Sequence, residues 1–190
     1  MQLFCHSDAS YLSEPKSRSR AAGYITCGQP QYISPDRPYK VNAAVSIISR
    51  IIPTVVRGAH EAEYAGLFIN ATELTDLRET ASNLGHPQQS IEITYDNTVA
   101  GKVAIKDVKK QKYSKVISMN YHWIQDRITA NHFHLTWAPG TTNLADYFTK
   151  LHPVHHFQSM INVYCNIQSP LQAPRTVKFR KKPTIIPSSY

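Results

Sequence analysis

The sequence predicts an α/β domain of five strands with flanking helices, and three stretches carry that prediction. Residues 2–11 alternate their side chains as a half-buried strand does, 59–84 sustain one long helical pattern, and ITYDNTVAGKVAI at 93–105 passes from strand to helix at Asp96. Strands that alternate with helices after an opening hairpin belong to a layered α/β architecture.

In Gln2–Tyr11, Leu3, Cys5 and Ser7 fall on one face and Phe4, His6 and Asp8 on the other, with Glu14 and Pro15 ending the strand. SEPKSRSRAAGY then leads through a Pro-containing turn into a second strand, Gly23–Cys27, carrying Lys16, Arg18 and Arg20 at a hairpin tip that is either merely solvated or in contact with phosphate. Gly28–Tyr39, with Pro30, Pro35 and Pro38, reads as loop, and Val41–Ser49 as a third strand. The long helix runs from Ala59 to Leu84, stopped by Gly85 with Pro87 beyond. Glu63 shares a stripe with Ala59, Leu67, Asn70 and Leu74, and Glu61 one with Ala65, Phe68 and Thr72. Both stripes hold large apolar residues, so periodicity does not separate the two glutamates, whereas Glu73, Asp76 and Glu79 read as solvated charges.

Ser90–Asp96 is the fourth strand, followed by a short helix at Thr98–Lys106 that Gly101 weakens. Ser114–Ala130 is helical, with Ile117, Tyr121, Ile124 and Ile128 at core spacing beside Trp123. His132–Ala138 is a fifth strand ending at Pro139 and Gly140. The turn TTN then caps a last helix opened by LADYFTK, with Asp146 in its first turn. Residues 1–156 are expected to form the domain, and 157–190, rich in Pro, Lys, Arg and Ser, a poorly ordered basic extension. His152, His155 and His156 lack the spacing of a zinc motif and receive no role.

With 190 residues and 42% hydrophobic composition the chain can bury a core without disulfide staples. Cys5, Cys27 and Cys165 fit no metal or disulfide pattern, and MQLFCHSDAS lacks the basic and apolar regions of a secretory leader. An intracellular protein, cytoplasmic or nuclear, is therefore expected, with no membrane association. The net charge of +8 points to an anionic partner, nucleic acid ahead of membrane because no strongly apolar amphipathic face accompanies the basic runs. Lys102, Lys106, Lys109, Lys110, Lys112 and Lys115 lie within one short stretch against a single Asp107, and such a run repels itself unless something anionic lies across it.

Against that basic background Asp96 stands at the carboxyl end of a strand, where open α/β sheets place their ligands. If Asp8, a glutamate of the long helix and Asp146 converge on it, they form a site for hard divalent cations directed at a polyanion. At the level of motifs, HSDASYLSEPKSRSRAAGY, HEAEYAGLF, TYDNTVAGKVA followed by KKQKYSKVISMNYHWIQDRI, and LTWAPGTTNLADYFTK occur in that order. Over about residues 3–156 they closely resemble the ribonuclease H domain of copia-type retrotransposon polyproteins.

The resemblance implies the ribonuclease H-like fold, a five-stranded mixed sheet flanked by helices, in a fragment of a larger polyprotein. It implies an endonuclease that cuts the RNA strand of RNA/DNA hybrids and works beside a reverse transcriptase domain. Position by position, the family's acids fall on Asp8, Glu63, Asp96 and Asp146, a choice that selects Glu63 over Glu61, and they would hold two Mg²⁺ ions, with Mn²⁺ as a substitute. Ser10, Asn97 and Thr98 then lie where they could touch sugar or phosphate, or serve only as strand-end polar residues, and Lys109, Lys110, Lys112 and Lys115 would follow the DNA strand. The loop Pro139–Leu144 is shorter than its counterpart in cellular ribonucleases H and carries Thr141 and Thr142 where those enzymes have a histidine. VISMN also lacks the charged pair related elements carry, which marks a diverged copy and keeps a catalytically inactive, nucleic-acid-binding remnant of the same fold as the alternative.

Overall fold

The computed structural model describes residues 1–28, 43–96 and 115–165. Among these, five strands form one sheet in the order β3-β2-β1-β4-β5, with β1 spanning Gln2–Glu14, β2 Arg18–Gly28, β3 Ser46–Ile51, β4 Ile91–Tyr95 and β5 Phe133–Trp137. The first three strands are antiparallel neighbours, and β4 and β5 run parallel to β1. The sheet is therefore mixed, as the hairpin start and the later crossovers require.

The opening hairpin is longer than the sequence pattern indicated. Lys16 and Ser17 take the left-handed conformation, φ 59° and 54°, so the turn after Pro15 is tight, and β2 starts at Arg18 rather than Gly23. The ladder steps out of register between Ser10 and Glu14, where Leu12 has φ 53°. Polar residues such as Ser19, which looked like a tip, are drawn into the sheet, and Ser19 is fully buried with its hydroxyl accepting from the Leu12 N–H. Likewise β3 reaches Ile51 instead of stopping at Ser49, because β2 offers partners down to Arg20.

Helix α1, Ala59–Asn83, ends at Leu84 with Gly85 at φ 85°, as the glycine predicted. It packs on β1 and β2 through Tyr64, Leu67, Ala71 and Leu74, which join Leu3, Cys5, Ile25, Ile48, Ile91, Ile93, Ile124 and Phe133 in the main core. Asn70 is buried in the same face, donating from Nδ2 to Ser7 Oγ and to the Ala22 carbonyl, both at 2.8 Å. A side chain at Gly23 would lie 2.3 Å from Asn70 Oδ1, so only glycine leaves room for that amide. Helix α2, Lys115–Thr129, closes the core with Ile124, while Phe68 and Trp123 meet edge to face at 5.3 Å. The helix expected at 98–106 lies outside the described residues.

The last helix departs from expectation. LADYFTK forms only a 3₁₀ turn at Asp146–Phe148, and α3 begins at Val154 and runs to Cys165. The segment is held from outside instead: Leu144 N–H goes to His6 Nδ1 and Asn143 Nδ2 to the Ser7 carbonyl, while Asn143 Oδ1 accepts from Ala145 N–H. Pro153 then stands where a continuous helix would need a donor, one residue before α3. The boundary expected after residue 156 falls inside α3, and α3 is docked: Tyr164 stacks edge-on against Tyr24 at 5.1 Å and donates to the Leu144 carbonyl at 2.8 Å. Residues 157–165 thus belong to the folded body, and those beyond lie outside the described part. No described helix is long and apolar enough to cross a membrane.

Candidate active site

Sheet register brings the two strand aspartates together. Cys5 stands opposite Ile93 and His6 opposite Thr94 in the parallel β1–β4 pair. Asp8 lies two residues further along β1 and Asp96 one residue past the end of β4, so both aspartates leave the sheet at the same end of this parallel pair. The exit from β4 is pinned from β5, since Trp137 Nε1 donates to the Asp96 carbonyl at 2.8 Å and Ala138 N–H to the Tyr95 carbonyl at 2.9 Å. Gly140 follows, and a Cβ there would stand 2.8 Å from Asp96 Oδ2, so its lack of a side chain makes room for that carboxylate.

Glu63 arrives from α1. Ala9, Ala21, Ala62 and Ala65 line the contact between the first turns of α1 and the sheet, and a Cβ on Gly66 would lie 3.2 Å from both Ala9 Cβ and the Asp8 carbonyl. Small side chains let the helix lie close to β1, and one oxygen each from Asp8, Glu63 and Asp96 lies within 4.8 Å of the others. Glu61, inseparable from Glu63 by periodicity, has a different task. It is buried, and its Oε2 accepts from Arg57 N–H at 2.9 Å, closing the helix start where Gly58 supplies no side-chain cap.

Asp146 does not belong to this group of three. Its Oδ1 accepts from Lys150 Nζ at 2.5 Å, yet it is near enough to act electrostatically on Asp8, Glu63 and Asp96. Thr149, which periodicity did not single out, lies between the two aspartates. Its hydroxyl is 2.9 Å from Asp8 Oδ2 and 2.9 Å from the Asp146 carbonyl, and its one proton serves one of them at a time. Ser10 Oγ donates to the Thr149 carbonyl at 3.0 Å and lies 2.6 Å from Ser13 Oγ, so Ser10 props the aspartate support. Asn97, Thr98, Lys109, Lys110 and Lys112 lie outside the described residues, and Lys115 opens α2. Beyond the site, Tyr147 stacks on His152 at 4.5 Å and on His156 at 5.6 Å, which gives those histidines a packing role.

Crowding governs the electrostatics. Burial, followed by the negative charge of Asp8 and Asp96, pushes the Glu63 carboxyl up to about 9, against an opposing hydrogen bond from the Ala9 backbone. Burial raises Asp8 to about 6, opposed by the Thr149 hydroxyl. Asp96 is raised by burial and by Asp146. His6, beneath the cluster, is lowered to about 4 by burial, which keeps it neutral to accept from Leu144 N–H. Three oxygen donors that cannot comfortably ionise together suit a hard divalent cation. In octahedral coordination at about 2.0–2.1 Å, neighbouring ligand oxygens lie roughly 3 Å apart, so a single ion would draw the three oxygens together by up to about 2 Å from their 4.8 Å limit.

No protein-family model matches the sequence, and no curated protein matches it. Solved structures do. The N-terminal RNase H domain of a Mycobacterium tuberculosis protein superposes with a TM-score of 0.52 at 15% identity, covering 78% of this chain and 90% of that one. RNase H1 of Halobacterium salinarum gives 0.50 at 15% identity, with 78% and 94% covered. A compost-derived RNase H1, solved in complex with an RNA/DNA hybrid, gives 0.52 at 13% identity, with 77% and 92% covered. Together with the strand order and flanking helices, these likenesses establish that the chain has the ribonuclease H-like fold.

Proposed function

We propose that the chain is a divalent-metal-dependent endonuclease that cleaves the RNA strand of RNA/DNA hybrids, as the ribonuclease H domain of a copia-type retrotransposon polyprotein. The observation that carries this proposal is the convergence of Asp8, Glu63 and Asp96 from β1, α1 and the end of β4 to within 4.8 Å, with Asp146 adjacent. The hybrid-bound structural neighbour supports the choice of substrate.

Asp8, Glu63, Asp96 and Asp146 would hold two Mg²⁺ ions, or Mn²⁺ in their place. Bound there, the ions would activate the attacking water and stabilise the leaving oxygen of an in-line displacement at phosphorus. The chain's own residues prepare that site. Thr149 orients the Asp8 carboxylate, Trp137 and Gly140 fix where Asp96 points, and Glu63 gives up its proton when a cation is bound. Hybrid selection would rest on the wide minor groove and its 2′-hydroxyls, with Ser10, Asn97 and Thr98 beside the acids and Lys109, Lys110, Lys112 and Lys115 along the DNA strand. The net charge of +8 supports a polyanionic partner, and the resemblance of the motifs carries the proposal of an intracellular setting beside a reverse transcriptase domain.

The test is cleavage of an end-labelled RNA/DNA hybrid with Mg²⁺, compared with Asp96→Asn protein. RNA-strand cutting by the wild type and a loss of at least ~100-fold in the variant are expected. Hybrid binding without cutting by either protein would refute the nuclease and leave the inactive binding module.

A further inference from the structure

Lys150 is placed at the site by a bent backbone rather than by helix register. The pair is solvent-exposed, Lys150 to 54% and Asp146 to 38%, yet it does not come from helix register, because Asp146–Phe148 is a 3₁₀ turn and α3 starts only at Val154. The Lys150 ammonium nevertheless sits on Asp146 Oδ1, and Asp8 and Asp96 both act on it through charge. The one expected ligand that stands apart from the close group is thus the one that holds a cation of the chain's own.

We infer that Lys150 is a resident counter-ion that occupies Asp146 in the free protein and must be displaced before Asp146 can share a divalent ion. This rests on the metal-nuclease proposal for the same acids. The close group of Asp8, Glu63 and Asp96 takes the first ion unaided. Asp146 joins only when the ammonium leaves, and phosphate oxygens of a bound strand would offer Lys150 its new partner. Lys150 is therefore a positioning residue that couples the second ion to substrate.

Calorimetric titration of Mn²⁺ into the full chain, without nucleic acid, tests this on wild type, Lys150→Gln, Lys150→Arg, Asp146→Asn and the double variant Lys150→Gln/Asp146→Asn. The expected result is a second binding event in Lys150→Gln at least ~10-fold tighter than a second event in wild type, with no such gain in Lys150→Arg and none once Asp146→Asn is added. A gain that survives in the double variant would show a general charge effect and overturn the inference, as would Lys150→Gln binding indistinguishable from wild type. Wild type that binds one ion while Lys150→Gln changes nothing refutes only the role of Lys150. A wild type that takes up no ion refutes the metal site itself.

Discussion

Glu63 and Glu61 are two residues apart on one helix and have opposite relations to stability. Glu63 is held among other acids at a cost, its carboxyl pushed up to about 9 by burial and by Asp8 and Asp96. Glu61 satisfies the Arg57 N–H at the helix start. Glu63→Gln should therefore lower hybrid cleavage by at least ~100-fold while leaving the metal-free melting temperature unchanged or higher, because folding no longer has to hold that carboxyl protonated above its unfolded pKa. Glu61→Ala should keep most of the activity yet lower the melting temperature, by the roughly 0.5–2 kcal/mol of stability typical of a lost cap. Thermal melts in EDTA beside cleavage rates check both, and activity lost in the Glu61 variant alone would reverse the assignment. Helical periodicity could not make this distinction, since what separates the two residues is which side of α1 meets β1 closely. That close meeting is made by Gly66 and the alanines around it, contacts that join residues far apart in sequence.

At the level of elements, strands and the long helix were legible because each has its own period or stop signal. Gly85 ends α1 where expected, and β4 with Asp96 at its exit was marked by alternation alone. The segment after β5 was not legible, because its shape is dictated from outside. Asn143 is the main fastener. It is buried, donates from Nδ2 to the Ser7 carbonyl at 2.9 Å, and accepts from Ala145 N–H through Oδ1 at 3.1 Å. It thereby ties the Asp146 turn to the strand residue beside Asp8. Asn143→Ala would leave the Ala145 N–H and the Ser7 carbonyl without this partner in a buried place, at about 1–3 kcal/mol. A lower melting temperature together with weaker cleavage at saturating substrate is the expected outcome. Unchanged kcat in a destabilised protein would show that the strap holds the fold but does not position Asp146.

For the whole molecule, the basic charge was plain from composition, whereas the packing of α3 through Tyr164 was hidden because its ring contacts with Tyr24, Tyr147 and Phe148 leave no periodic trace. The acids set a balance of a different kind, one that links folding, protons and metal. A carboxyl group whose folded pKa exceeds its unfolded value contributes stability that is whole below the unfolded pKa and lost as pH rises through the folded one. Glu63 moves from 4.5 to about 9 and Asp8 from 3.8 to about 6. In EDTA the protein should therefore lose stability steadily as pH rises from about 4 to about 9, with the part due to Asp8 spent by about pH 6. A divalent ion binds the ionised carboxylates and relieves their repulsion, so its stabilising effect must run the other way. The gain in melting temperature on adding saturating Mg²⁺ should be small near pH 5 and grow toward pH 9, and Glu63→Gln should flatten both curves across the upper half of that range. Melts recorded in EDTA and in Mg²⁺ through this window decide the matter, and a Mg²⁺ effect that is constant with pH would mean that the ion does not displace protons from this cluster.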